Sequence, residues 1–128
     1  MVLLVDSAAY IDLMREGHDP RQVLMPYMVA GELYNCGIVR AEVLRGMRQP
    51  RELADMEAFF DIVPEVPTDP KLWRKVSELG WKLGRKGKWP PVTDLAIAAC
   101  ALRVGATVVS PDKHFEDIEG LSILKSLP

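Results

Sequence analysis

The sequence is poor in the side chains that usually bind zinc or act as catalytic nucleophiles. Its 128 residues include two cysteines and two histidines, and none of them has the spacing of a zinc site. No Ser/His/Asp or Cys/His arrangement typical of nucleophilic catalysis is evident either. Cys36 and Cys100 both stand among apolar residues, so we expect buried free thiols, with a disulfide as the alternative.

Long hydrophobic runs are also missing. No apolar stretch reaches the length of a membrane span, and the start, MVLLVDSAAY, lacks the basic residues of a signal peptide. We therefore expect a cytoplasmic protein without membrane contact. The net charge of −2 argues against a protein that coats nucleic acid without specificity. With 48% hydrophobic residues, residues 1–128 can bury the core of one domain.

Short apolar runs alternate with segments of helical periodicity along the chain. Strands are predicted at residues 2–5, 32–39, 106–110 and 121–127, with an edge strand or connector at 62–67. Helices are predicted at residues 7–17, 19–31, 40–47, 50–62, 68–87 and 93–105, with a short helix within 111–118. This alternation predicts an α/β fold with a central, mostly parallel sheet flanked by helices.

Residues with strong capping preferences locate several of the predicted helix ends. Asp19 followed by Pro20 is typical of an N-cap and first helical position. Pro26 then predicts that this helix is short or kinked. Thr93 is predicted to cap the alanine-rich helix that ends at Gly105.

Four acidic residues share a position relative to the predicted strands. They lie directly after a strand or early in a helix, and they are Asp6, Glu42, Asp94 and Asp112. In a parallel sheet such positions meet at the carboxyl edge, where α/β proteins bind their ligands. Neighbouring carboxylates repel one another unless their pKa values rise or a divalent cation lies between them. Mg²⁺ and Mn²⁺ suit such a set of oxygen ligands.

Each of these acids has a simpler interpretation when it is taken singly. Asp6 and Asp94 suit helix capping or an interaction with a helix dipole. Asp112 follows a Ser-Pro pair and is typical of a turn, and Glu42 is typical of a solvated helix surface. The metal site is therefore predicted from the joint pattern of the four residues.

Four segments, in order along the chain, carry a family resemblance. They are LLVDSAAYIDLM, VRAEVLRG, PPVTDLAIAACAL and VVSPDKHFEDI. With them the chain resembles, over nearly its whole length, the PIN domain family, and most closely the VapC-type toxin ribonucleases of toxin–antitoxin pairs. The resemblance implies a PIN-like three-layer sandwich and a Mg²⁺- or Mn²⁺-dependent endoribonuclease that hydrolyses RNA phosphodiester bonds. It also implies a homodimer and a cognate antitoxin protein that holds the toxin inactive.

The resemblance assigns roles to individual residues. The family's four acidic positions are matched by Asp6, Glu42, Asp94 and Asp112. We expect Asp6, Asp94 and Asp112 to hold the principal ion, and Glu42 to bind it through water or to hold a second ion. Ser7 matches the hydroxyl residue that follows the first acid, and we expect it to orient a carboxylate or a metal-bound water.

The chain departs from the family pattern near the last of these acids and near the first. Ser110-Pro111 replaces a pair such as Thr-Arg, and Ala8-Ala9 replaces a polar residue. His114 stands where many relatives carry a further acid. For His114 we favour solvent exposure, with a catalytic or substrate-contact role as the alternative. The identity of any fifth ligand is therefore open.

Cations near an acidic pocket would help to draw in RNA phosphates. The possible substrate contacts are Arg40, Arg45, Lys86, Lys88 and His114, and Arg48, Lys82 and Arg85 are further cations of the same two stretches. A solvated helix surface is the simpler interpretation of each one alone. For Trp73, Trp81 and Trp89 we predict core or interface packing in preference to base stacking.

Two rival functions fit the sequence less well. A PIN-like module that binds RNA or a protein without cutting would not need the complete set of acids. A phosphotransfer domain of the receiver or haloacid-dehalogenase type also places an Asp after its first strand. Dehalogenase-like enzymes then carry a second Asp two residues later, where this chain has Ala8.

Overall fold

Five parallel strands form the centre of the protein, in the order β3-β2-β1-β4-β5. The computed structural model describes all residues from Met1 to Pro128. The strands are β1 (Leu3–Val5), β2 (Leu33–Cys36), β3 (Glu65–Val66), β4 (Thr107–Val109) and β5 (Ile123–Leu124). The predicted α/β fold with a mostly parallel sheet is confirmed.

Six helices connect and flank these strands. They are α1 (Ser7–Arg15), α2 (Pro20–Val29), α3 (Gly37–Arg45), α4 (Pro50–Ile62), α5 (Pro70–Arg85) and α6 (Val92–Val104). A single 3₁₀ turn, Lys113–Phe115, follows β4. None of the helices combines the length and the apolar character needed to cross a membrane.

The central strand β1 fixes the position of the carboxyl edge of the sheet. Leu3 pairs with Leu33 of β2 on one side and with Thr107 of β4 on the other. The three residues of β1 are almost completely buried, as expected for a strand covered on both faces. Because β1, β2 and β4 run in the same direction, the residues that follow them emerge at one edge. These residues are the starts of α1 and α3 and the segment after Val109.

The second strand is shorter than its sequence predicts. The strand predicted at residues 32–39 ends at Cys36, and α3 begins at Gly37. Val39 and Val43 are four residues apart on α3 and both are fully buried. Packing of this helical face into the core therefore overrides the β preference of Ile38 and Val39.

Of two predicted helix N-caps, one is confirmed and the other is wrong. Asp19 caps α2 as predicted, because its carboxylate accepts a hydrogen bond from the Arg21 backbone N–H at 3.0 Å. Thr93 is not the cap of α6, which begins one residue earlier, after Pro91 and without a side-chain cap. Gly105 ends α6 in the left-handed conformation, with φ of 67°, which a glycine adopts without strain.

The tryptophans do not belong to the core. Trp73, Trp81 and Trp89 are 43%, 62% and 75% exposed, so of the two predicted environments core packing is wrong and interface packing stays a prediction. The core is built instead from β1, β2 and β4 with apolar residues of all six helices. The two cysteines, Cys36 and Cys100, are buried and free, as expected.

Candidate functional site

Asp6 lies at the junction of β1 and α1 and acts both as a helix cap and as part of a polar cluster. Its Oδ1 accepts a hydrogen bond from the Ser7 backbone N–H at 2.8 Å, which satisfies a free donor at the start of α1. Its Oδ2 accepts a hydrogen bond from the Ser110 hydroxyl at 2.8 Å, across the β1–β4 boundary. Asp6 is only 1% exposed, so these contacts hold a buried carboxylate in one orientation.

Ser7 links the first acid to the third helix. Its hydroxyl donates to Glu42 Oε1 at 3.1 Å and lies 3.4 Å from Asp6 Oδ1. One hydroxyl proton serves one acceptor at a time, and the shorter contact to Glu42 has the better geometry. Packing of α1 against α3 brings the two elements together, so Ser7 lies between the two carboxylates.

Asp94 lies in the first turn of α6 and is mostly buried. Its Oδ2 is 2.7 Å from Nδ1 of His114, which lies in the 3₁₀ turn after β4. The imidazole is half-exposed, so His114 has both the predicted exposure and a direct contact with one of the acids. The contact fixes Asp94 from the solvent side of the cluster.

Asp112 is held at the same edge by Ser110. The Asp112 backbone N–H donates to the Ser110 hydroxyl oxygen at 3.0 Å, and that hydroxyl in turn donates to Asp6. One potential ligand atom from each of Asp94, Asp112 and His114 lies within 4.8 Å of the others. These three side chains form the tightest set of donor atoms in the site.

Burial and mutual repulsion perturb two of the four carboxylates. Burial is the main cause that raises the pKa of Asp6 to about 6, and the charges of Asp94 and Asp112 raise it further. Hydrogen bonds from Ser110 and Ser7 act in the opposite direction. Burial also raises the pKa of Asp94, aided by Asp112 and opposed by His114.

No lysine or arginine forms an ion pair with any of these four carboxylates. Acidic groups that are close together and lack a basic partner are the donors that a divalent cation requires. The set therefore fits such an ion chemically. Asp94 and Asp112 are closest to sharing one, Asp6 interacts with both electrostatically, and Glu42 is connected through Ser7.

Sequence reasoning missed the part played by Ser110. In the sequence Ser110 stands out only as a departure from a family pattern, yet it is 1% exposed and connects Asp6 to Asp112. Its position gives the signal that could have identified it. Ser110 follows β4 directly, as Asp6 follows β1, so the two residues emerge side by side at the carboxyl edge.

The expected substrate contacts differ in their surroundings. Arg40 is paired with Asp61 at 2.7 Å, and Lys88 is paired with Asp117 at 2.6 Å. Arg45 and Lys86 are exposed and form no ion pair.

A search of the curated proteins found no match to the chain.

Solved structures share this fold at low sequence identity. A chain of VapBC2 from Rickettsia felis, bound to a DNA fragment from its promoter, matches with a TM-score of 0.78 and 20% identity, covering 97% of this chain and 98% of that one. A chain of DNA-bound VapBC from Salmonella typhimurium matches with a TM-score of 0.79 and 22% identity, covering 97% of each chain. A chain of VapBC-5 from Mycobacterium tuberculosis matches with a TM-score of 0.64 and 19% identity, again covering 97% of each chain.

A family model gives the same result from the sequence side. The model of the PIN domain matches residues 3–121, from the start of β1 to the segment just before β5. The matched region contains all four acids together with Ser7, Ser110 and His114. The chain therefore belongs to the PIN domain family.

Proposed function

We propose that the protein is a Mg²⁺- or Mn²⁺-dependent endoribonuclease and the toxin of a VapBC-type toxin–antitoxin pair, with residues 1–128 acting as one PIN domain. The observation that carries the proposal is the cluster of four carboxylates without a lysine or arginine partner at the carboxyl edge of the sheet. The four come from separate elements. Hydrogen bonds hold the carboxylates of Asp6, Glu42 and Asp94, and the Asp112 backbone N–H bonds to Ser110, so their proximity depends on the fold.

Asp94 and Asp112 would hold the divalent ion, with Asp6 beside them and Glu42 reaching it directly or through water. When bound, such an ion lowers the pKa of a coordinated water and offsets negative charge on a phosphate. Mg²⁺ and Mn²⁺ both suit carboxylate oxygens, and the His114 imidazole adds a nitrogen that can orient Asp94 or serve as a further ligand.

The protein side chains supply the orientation. Ser7 and Ser110 each donate a hydrogen bond to a carboxylate oxygen, at 3.1 Å to Glu42 and at 2.8 Å to Asp6. Asp6 also accepts from the Ser7 backbone N–H, but an ionised carboxylate offers about four lone-pair sites, so each of these acids keeps acceptor capacity for a metal ion. The pKa of Asp6, raised to about 6, still leaves that carboxylate largely ionised at neutral pH.

The partners are part of the same proposal. Structural similarity to chains of VapBC complexes supports a cognate antitoxin protein as the regulator. We also propose a homodimer, because Met25, Val29 and Ile62 are apolar side chains exposed on α2 and α4. A monomer mass by light scattering at micromolar concentration would contradict the dimer.

The nuclease proposal is tested by expressing the chain alone and mapping new RNA ends. Asp6→Asn and Asp94→Asn should abolish cleavage that depends on Mg²⁺ or Mn²⁺ while the protein stays folded. Asp12→Asn is a matched control, because Asp12 lies on α1 but has no ion pair and no contact with the four acids.

Cleavage that survives both substitutions, or that persists in excess chelator, would contradict the proposal. Calorimetric titration gives a second measure, because a protein that binds neither Mg²⁺ nor Mn²⁺ would instead be a PIN-like module that binds RNA or protein without cutting.

A further inference from the structure

A basic and aromatic surface lies at the end of α5 and in the segment that leads to α6, which carries Asp94. We define this surface, the basic–aromatic lip, by six exposed side chains: Trp81, Lys82, Arg85, Lys86, Lys88 and Trp89. Residues 81–91 contain four cations and no acid. The two indoles are more than half exposed.

Trp89 has a defined seat on the surface of α5. A Cβ atom added at Gly84 would lie 2.9 Å from Cη2 of the indole, closer than real Cβ contacts allow, and 3.1 Å from Cζ2, which is tighter than most. The ring therefore rests directly on the helix backbone at Gly84. Glycine makes a helix less stable than alanine does, but at position 84 the missing Cβ leaves room for the indole to approach the helix. The contact involves the outer atoms of the six-membered ring, and the side chain is 75% exposed, so the π-surface of the indole is open to solvent.

The cations of the lip are not all neutralised within the protein. Lys82 pairs with Glu78 at 3.1 Å and Lys88 pairs with Asp117 at 2.6 Å. Arg85 and Lys86 form no ion pair, and the Arg85 guanidinium lies 4.8 Å from the centroid of the Trp81 ring. Two unpaired cations beside exposed indoles provide charge for phosphate and a π-surface for bases.

The lip is close to the four acids along the chain and in space. Trp89 precedes Asp94 by five residues, through Pro90 and Pro91, so their Cα atoms lie at most about 18 Å apart. The ion pair between Lys88 and Asp117 ties the lip to the segment that carries His114. A strand with one phosphate at the acids can therefore reach the lip with its flanking nucleotides.

We propose that Trp89 is a stacking platform for an unpaired base of an RNA strand, and that Arg85 and Lys86 contact the phosphates beside that base. This proposal rests on the proposed function and names the subsite that binds the strand next to the cleavage site. A protein partner is the less suitable occupant, because lysine is depleted at the centre of protein–protein interfaces. Base stacking on an aromatic side chain strengthens binding by roughly 5- to 150-fold.

The test measures binding in the Asp6→Asn background, where the strand is not cut. A short fluorescent single-stranded oligoribonucleotide is titrated in the presence of Mg²⁺, and a duplex of the same sequence is titrated in parallel. Trp89→Leu should raise the Kd for the single strand by about tenfold. The Kd of the same variant for the duplex should change less than about threefold, because paired and stacked bases offer no free face to the indole.

Two variants make the result specific to the seated ring. Trp73→Leu removes another exposed tryptophan of α5 that lies outside the lip, and it should leave Kd unchanged. Gly84→Ala keeps every side chain of the lip but displaces the ring from its seat, and it should weaken single-strand binding while the helix gains stability. Weaker binding in that variant cannot be attributed to unfolding.

Equal Kd values for Trp89→Leu and Trp73→Leu would overturn the proposal. So would a change from dimer to monomer in Trp89→Leu, since that result would identify the lip as a protein interface. Failure of the proposed function is read separately, from the absence of Mg²⁺- or Mn²⁺-dependent cleavage by the unmodified chain, because the binding assay does not depend on cleavage.

Discussion

The acidic site and the basic–aromatic lip are joined by the short segment before α6 and are built in opposite ways. The site collects side chains from the β1–α1 junction, α3, α6 and the segment after β4, and three of its hydrogen bonds connect residues far apart in sequence. The lip comes from one continuous stretch, residues 81–89, and its side chains face solvent. The site therefore depends on the whole fold, whereas the lip depends on one helix end.

Their energetic consequences also differ. Burial of the carboxylates, and to a smaller extent their mutual repulsion, opposes folding until a cation offsets their charge, as the raised pKa of Asp6 and of Asp94 indicates. Surface cations of the lip cost little in the folded protein, because solvent screens them. Substitutions at the site should change chemistry and stability together, and those in the lip should change binding alone.

The largest difference should appear in turnover. Asp112→Asn removes one of the three closest donor side chains and should lower the maximal rate of RNA cleavage by more than about 100-fold, beyond the loss typical of outer-shell partners. Lys86→Gln in the lip should raise KM and leave kcat unchanged. Steady-state cleavage of a defined oligoribonucleotide separates the two constants. A matching loss of kcat in the lip variant would break the comparison.

The next largest effect concerns stability without metal. The pKa of Asp6 rises from 3.8 to about 6 on folding, so the folded state retains a proton that the unfolded state releases between these values. The contribution of Asp6 to the free energy of unfolding therefore falls by at most about 3 kcal/mol as pH rises from about 4 to about 6. Above pH 6 it stays at this lower value.

Asp6→Asn should consequently be more stable than the unmodified chain at pH 7.5 in chelator, and equally stable below pH 4. Urea unfolding at several pH values measures the difference. Saturating Mn²⁺ should reverse the order, because only the unmodified chain gains the full binding energy. An Asp6→Asn variant that is less stable at every pH would contradict the electrostatic account.

A smaller loss of activity is expected at Ser110. Ser110→Ala removes the hydroxyl that donates to Asp6 and accepts from Asp112, and it should reduce cleavage by about 10- to 100-fold. Ser77→Ala on α5 is the control, since its hydroxyl bonds only to the Trp73 carbonyl of its own helix. Unchanged cleavage in Ser110→Ala would mean that the two acids keep their positions without this link.

The smallest effect concerns a buried polar side chain that, unlike Asp6, has no hydrogen-bond partner. Asn35 on β2 is as buried as Asp6, but neither its side-chain oxygen nor its nitrogen has a hydrogen-bond partner. Asn35→Leu should raise the free energy of unfolding by about 1 kcal/mol, because an unpaired buried amide is removed. Thermal unfolding measures the gain, and cleavage should stay unchanged. A loss of stability would indicate that the amide has a partner, such as an internal water.

Much of the fold and the four acids could be predicted because each depends on local signals. Apolar runs predict β1 and β4. An acid that follows a strand of a parallel sheet is expected at the carboxyl edge of that sheet. The end of β2 could not be predicted, because burial of one face of α3 decides it. The exposure of the tryptophans was also missed, since an apolar ring on a helix gives no sign of whether another element covers it.

The contacts among the acids were the least accessible part. That His114 meets Asp94 and that Ser110 joins Asp6 to Asp112 depends on the register of β4 against β1, which spacing along the chain does not reveal.

Ser110 also makes the site directional. The Asp112 N–H donates to the Ser110 oxygen, and the Ser110 proton points to Asp6, so the two bonds form a chain that runs one way. Bonds in such a chain polarise one another, and a full negative charge at its end strengthens every member. Ionisation of Asp6 therefore strengthens the hydrogen bond between the Asp112 backbone N–H and Ser110. The order of the loop after β4 thus depends on the charge of a residue more than a hundred positions away in sequence.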